Sequence, residues 1–288
     1  MARPIPLNPL HVYLLSDATG ETVEHVARAA LSQFPSLKAE QHVWPLLRNQ
    51  AQIDKVLRAV QKRRGLVFST FADLPLQNYL REACAQADLP FIAVLDPIIA
   101  RLADYIGIKP EALPGRQHRL DAEYFERMQA MDFMLHHDDG QALDDLANSE
   151  VILVGVSRTS KTPTCLYLAN RGIKAANIPL IAGQEPPENL LDIARRKGAS
   201  APLIVGLVKD PVRLSQVRLN RITQLGLEKE SSYSDLESVR GEMQAARKLF
   251  AHYDWPTIDV TNRSIEETAA TIMQLLAKEH AGNGNNGA

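Results

Sequence analysis

Between Val151 and Leu180 the chain reads VILVGVSRTSKTPTCLYLANRGIKAANIPL. An apolar run ends in Gly155, and Lys161 and Thr162 follow at the mouth of a helical pattern. These residue types can hold phosphate. Successive backbone N–H groups curl around anionic oxygens, the helix N-terminus adds positive potential, lysine supplies a mobile charge, and the next hydroxyl is offered to Mg2+. The general spacing is G-x-x-x-x-G-K-[ST], and Ser160 stands where its second glycine belongs. Glycine is favoured there because the backbone passes close to phosphate or takes a conformation that a Cβ disfavours. Serine is small, and its hydroxyl can itself donate to phosphate. Gly155, Val156, Ser157, Arg158, Thr159, Ser160, Lys161 and Thr162 therefore form the candidate nucleotide-binding loop. Gly155 would turn the chain out of the strand, Lys161 would reach the terminal phosphates and Thr162 would hold the metal. The alternative is a chance strand–turn–helix with an exposed lysine.

Further charges fit the same chemistry. Arg158 lies inside the loop, and Arg213, Arg218 and Arg221 fall roughly on one side of a predicted helix. Such a row suits a charge clamp on a transferring phosphoryl group, or equally a solvated basic face. Asp210 follows a predicted strand and is the first candidate for the metal-side carboxylate and for the general base; it could also cap the helix starting at Pro211. Asp138 and Asp139, in HHDDG, are the second choice as base. A single metal site made of all four HHDDG side chains is disfavoured, because neighbours at a helix end point to different sides. A helix end or domain joint with a flexible Asp-Gly turn is the preferred reading there. In SDATGET, Ser16, Asp17 and Thr19 either face a ligand at a strand's C-terminal end or cap the following helix. Ser264 with Glu267 reads as a capping box.

Positioning these groups requires a regular frame. From Val12, β-rich runs (VYLLS, EQHVWPL, GLVFST, FIAVLD) alternate four times with helical patterns, which argues for a Rossmann-like parallel sheet covered by helices. The stretch Lys109–His118 breaks the alternation, and a longer helix is expected over Leu120–His136. From Val151 the alternation resumes through PLIVGLV and a last strand at Thr257–Val260, followed by a helix to about His280. The expected fold class is α/β: an N-terminal Rossmann-like parallel-sheet domain over 1–145, a P-loop kinase-like α/β domain over 146–280, and a disordered tail over 281–288. Partner docking or regulation is the expected role of the first domain.

Composition narrows the class. A chain of 288 residues with 45% hydrophobic and 23% charged residues can bury a core without staples. A net charge of -2 argues against a nucleic-acid partner, which normally demands a basic excess. No apolar run spans a bilayer, so no membrane partner is expected. The two cysteines, Cys84 and Cys165, fall in different predicted domains, and a cytoplasmic location is expected.

The loop segment, together with SDATGET, EYFERMQAMDF with HHDDG, DPVRLSQVRLNR and IDVTNRSIEETAATI, resembles the bacterial and plant regulatory proteins of pyruvate dikinases. The likeness runs over nearly the whole chain. In that family serine as well as glycine is accepted before the loop lysine. The resemblance implies a bifunctional enzyme: ADP phosphorylates an active-site threonine of a dikinase and inactivates it, and inorganic phosphate removes the group again, releasing pyrophosphate. The resemblance makes a homodimer plausible, and Mg2+ is expected with the nucleotide from the loop chemistry. The expected substrate is phosphoenolpyruvate synthase (pyruvate, water dikinase), with pyruvate, phosphate dikinase as the alternative. A small-molecule kinase and a non-catalytic nucleotide sensor are the rival readings.

Overall fold

A computed structural model of the chain describes residues 9–115, 122–195, 201–224 and 233–284. The chain divides into two compact units, Met1–Arg119 and Leu120–Ala288. Each carries a four-stranded parallel sheet.

In the first unit β1 (Leu10–Ser16), β2 (Ala39–Trp44), β3 (Gly65–Thr70) and β4 (Phe91–Ala93) are ordered β2-β1-β3-β4. Between them run α1 (Glu21–Leu31), α2 (Gln50–Lys62) and α3 (Leu74–Gln86), and α4 (Asp96–Ile106) follows β4. Burial on both sides of β1 follows from its period of two. Tyr13 and Leu15 join a cluster with Ile53 and Val56 of α2 and Leu80 of α3, while Val12 and Leu14 pack with Val23 and Ala27 of α1. Strand order reverses between β1 and β3, which places a crevice at the sheet's C-terminal edge.

The second unit begins with α5 (Ala122–His136) and two short 3-10 turns, Asp138–Gly140 and Leu143–Asn148. Then follow β5 (Val151–Val156), α6 (Lys161–Ala169), β6 (Ala175–Leu180), α7 (Glu188–Arg195) and β7 (Leu203–Val208). The unit closes with α8 (Pro211–Gln224), α9 (Leu236–His252), β8 (Thr257–Asp259) and α10 (Ile265–Gly284), in sheet order β6-β5-β7-β8. Val151 and Leu153 of β5 face α6 and α10 through Cys165, Leu168 and Ile272; Ile152, Val154 and Val156 face Leu190, Leu214, Met243 and Phe250. Ser264 and Glu267 exchange their backbone N–H bonds at 2.9 and 3.1 Å, the capping box expected at the start of α10.

The α/β class with two parallel sheets is as expected. Three details differ. The division falls at Arg119/Leu120, ahead of the expected boundary at 145/146, because α5 packs on α6 and β6 and so belongs to the second core. The apolar run FIAVLD supplies only three strand residues, since α4 already starts at Asp96. The tail expected to be disordered from 281 is helical as far as Gly284, as a continuation of α10; residues 285–288 lie outside the described residues. The break expected at Lys109–His118 is described only to Gly115. Cys84 and Cys165 are both buried free thiols in separate units, with burial pushing Cys84 up to about 11 and Cys165 higher still. Among the described residues no helix is long and apolar enough to cross a membrane.

Gly206 in β7 marks how tightly α9 lies on the second sheet. A Cβ there would lie 2.4 Å from Cδ2 of the buried Phe250. Gly206→Ala should therefore cost about 1–3 kcal/mol by overpacking, read as a lowered denaturant midpoint with unchanged slope. An unchanged midpoint would show that Phe250 does not rest on this strand.

Candidate functional site

Strand β5 ends at Val156 and α6 begins at Lys161, so the chain must turn from strand to helix over Ser157–Ser160. Two non-glycine residues take the left-handed conformation to do so: Arg158 at φ 75 and Ser160 at φ 64. Ser160 is the N-cap of α6, which gives the physical content of the glycine rule at this position. An L-residue there costs about 1–2 kcal/mol, which neighbouring contacts must offset. Thr159 Oγ1 donates to the Val156 carbonyl at 2.9 Å, and Thr164 Oγ1 donates to the Ser160 carbonyl at 2.7 Å. Gly155 has a different role from the turn expected of it. It lies within β5, where a Cβ would sit 2.8 Å from both the Leu207 carbonyl and Thr159 Oγ1, so close approach excludes a side chain.

The expected row of three arginines on α8 divides. Arg218, only 1% exposed, turns inward with Leu214 and Ile222, whereas Arg213 and Arg221 are exposed. Its guanidinium forms a fork with Glu242 of α9 at 2.9 and 2.7 Å. It also donates to the Ser157 carbonyl at 3.2 Å and the Tyr233 carbonyl at 2.8 Å, and stacks 4.5 Å above the Tyr233 ring. Arg218 thus clamps the loop from behind, with its donors engaged by Glu242 and two carbonyls. The Tyr233 hydroxyl completes the clamp, 3.0 Å from Ser157 Oγ and accepting from Arg158 Nε at 3.3 Å. Asp210 takes the capping alternative: Oδ1 accepts from Arg213 N at 3.0 Å, and its own N–H donates to Thr261 Oγ1 at 2.8 Å.

A cavity of about 300 Å³ opens over the loop, lined by Asp139, Arg158, Ser160, Lys161, Thr162 and Lys209 among others. Lys161 is 5% exposed and donates to the Val156 carbonyl at 3.1 Å. Burial lowers its pKa to about 8, against the opposing pull of Asp139 and Asp138. Thr162 Oγ1 donates to Asp138 Oδ1 at 2.9 Å. Asn177 of β6 joins them, its Nδ2 lying 2.6 Å from Asp138 Oδ1, 2.9 Å from Thr162 Oγ1 and 3.3 Å from Asp139 Oδ1. The HHDDG segment therefore splits. His136 is exposed and His137 is buried, stacking on Phe133 at 3.8 Å, whereas Asp138 accepts from Thr162 and Asp139 lines the cavity.

Sequence reasoning missed two residues. Asn177 is a buried amide in an apolar strand, and that polarity was the signal. Lys209 directly follows β7, at the strand end where parallel sheets bind ligands, and burial lowers its pKa. In the first unit Asp17 does not cap α1. Its Oδ2 accepts from Ala72 and Asp73 N–H at 2.7 and 2.9 Å, tying the loop after β1 to that after β3 beside a cavity of about 150 Å³.

Replacing Ser160 by glycine should leave stability unchanged or raise it by up to about 1 kcal/mol, whereas Ser160→Val should lower it by about 1–2 kcal/mol in urea unfolding. Equal midpoints for the two variants would mean that residue 160 is not left-handed in solution.

The family model described as kinase/pyrophosphorylase matches residues 12–273. A protein of Paramagnetospirillum magneticum is 49% identical over 93% of this chain and 84% of its own length. One of Rhodospirillum rubrum is 47% identical over 95% of this chain and 98% of its own, and one of Caulobacter vibrioides 45% identical over 93% and 83%. All three carry the provisional name pyruvate, phosphate dikinase regulatory protein. The likeness spans both units and the whole loop, and this chain belongs to the kinase/pyrophosphorylase family.

Proposed function

We propose that this chain is a bifunctional regulator of a pyruvate dikinase, using ADP to phosphorylate a threonine of that enzyme and inorganic phosphate to remove the group. The observation that carries the reading is the left-handed loop presenting buried Lys161 and half-buried Thr162 to a cavity that Asp139 lines, with Asp138 bonded to Thr162, in a chain of the kinase/pyrophosphorylase family. The names of the relatives favour pyruvate, phosphate dikinase over phosphoenolpyruvate synthase as the substrate.

Phosphoryl transfer asks little covalent work of a protein beyond positioning and charge stabilisation. The N-terminus of α6 and the Lys161 ammonium would hold the β-phosphate of ADP, with Lys209 and Arg158 at the cavity wall supplying further positive charge. The threonine oxygen forms the new O–P bond as the bond from the β-phosphorus to the bridging oxygen breaks, and AMP leaves with that oxygen. Asp139 lines the cavity and is placed better than the helix-capping Asp210 to accept the threonine proton. In the reverse direction an inorganic phosphate oxygen attacks the phosphothreonine phosphorus, pyrophosphate leaves, and the threonine oxygen regains its proton from the same carboxyl. Thr162 Oγ1 and the Asp138 and Asp139 carboxylates are hard oxygen donors suited to Mg2+, held together by the Nδ2 of Asn177. When bound, Mg2+ would neutralise charge on the phosphate oxygens.

The Lys161 pKa carries a linkage. Its folded value of about 8 lies below the ordinary 10.5, so between those values the unfolded chain binds more protons and the contribution of this group to stability rises with pH. Below about pH 8 the folded chain holds a costly buried charge that a phosphate would compensate.

ADP affinity should accordingly fall as pH is raised through about 8, and Lys161→Met should bind weakly with that dependence gone. A retained pH profile in the variant would assign the effect elsewhere. The deciding assay incubates the protein and ADP with pyruvate, phosphate dikinase and, separately, with phosphoenolpyruvate synthase, and locates added phosphate by mass. Transfer to a threonine of the former is expected; transfer only to the latter reassigns the substrate, and ATP turnover without any protein acceptor would sink the proposal. Lys161→Ala should lower both directions by at least about 10²–10³-fold, as loss of a preorganised donor does.

A further inference from the structure

Strands β1 and β2 pair in parallel with His11 opposite Glu40 and Tyr13 opposite His42. Residues two apart share a face of a sheet, so these four side chains emerge together. His11 Nδ1 lies 3.1 Å from His42 Nε2 and 3.4 Å from Glu40 Oε2, and the three ligand atoms all fall within 4.8 Å of one another. A tetrahedral ion with arms of about 2.0–2.1 Å needs ligand atoms about 3.3 Å apart. Both short separations match that edge.

The proton count argues in the same direction. His11 Nδ1 faces an imidazole nitrogen and a carboxylate oxygen, and one N–H cannot serve both well. A cation accepts all three lone pairs at once. The frame is already rigid: two registered strands set the Cα positions, and Tyr13 stacks on the His42 ring at 4.7 Å while its hydroxyl donates to the Arg63 carbonyl at 2.9 Å. Burial and the neighbouring His11 lower the His42 pKa, favouring the neutral imidazole that ligates metals. Arg63 acts in the same direction, and Glu40 pulls the other way.

We propose that His11, His42 and Glu40 form a binding site for a divalent transition-metal ion of the zinc class, clasping edge strand β2 to β1 in the first unit. Imidazole with one carboxylate suits zinc better than calcium or magnesium. Glu40 is half-exposed, so the fourth position opens to water or to a donor atom from outside. Binding displaces to solvent the proton that bridges His11 Nδ1 and His42 Nε2.

The test uses the full, untagged chain, stripped with chelator and titrated with Zn2+ by calorimetry and with Co2+ by visible absorption. One saturable equivalent with intense four-coordinate Co2+ bands is expected, along with a raised Tm. His11→Gln and His42→Gln should each abolish that equivalent, and exposed Glu40→Gln should weaken it about tenfold or more. The Glu40 variant keeps the test decisive if a histidine variant fails to fold, which circular dichroism in chelator would show. No saturable Zn2+ binding, or binding unchanged in Glu40→Gln and in either folded histidine variant, would overturn the proposal.

Discussion

The second unit depends on how a parallel strand is turned into a helix over Ser157–Ser160 without losing its grip on the sheet. Two left-handed residues make the turn, and neither is glycine. Unfavourable backbone of this kind persists only where the surroundings over-determine it. Here the restraint comes from the Arg218–Glu242 pair, which holds the Ser157 carbonyl from behind, and from two threonines that tie their hydroxyls to Val156 and Ser160. The helix N-terminus and its lysine are aimed at the cavity as a result.

Much of this was legible in the chain itself. Period-two burial in β1 and β5 and the alternation with helices identify two parallel sheets, because strands buried on both faces must be apolar throughout. The loop is readable because so few residue types can follow a strand, turn left-handed and open a helix on a lysine. Legibility fails where one residue type has two uses. Arg218 and Arg221 look alike by spacing, yet one is pulled inward by a glutamate that lies 24 residues further along the chain, on another helix. Asp210 was open to capping or catalysis, and the proline after it favours the cap.

Asp138 and Asp139 show the opposite failure. Local geometry at a helix end argues only that the four side chains point to different sides, and it does not reveal that β6, paired to β5, brings Asn177 up to the two aspartates. Long-range pairing assembles the polar cluster, and no window of neighbouring residues contains it. The division between units falls ahead of the expected boundary for a related reason: α5 reads as the last helix of the first domain until its contacts with α6 and β6 are known.

The inward arginine has a bearing on how sequence variation in this family should be read. A buried guanidinium left without its carboxylate, or the reverse, costs about 3–5 kcal/mol, enough to deplete the folded population of a marginal domain. Positions 218 and 242 would then score as intolerant in any growth-based mutational scan, beside the loop proposed to hold phosphate. Such a pattern looks like chemistry and is architecture. Telling the two apart requires normalising the signal at each site to the abundance of folded protein.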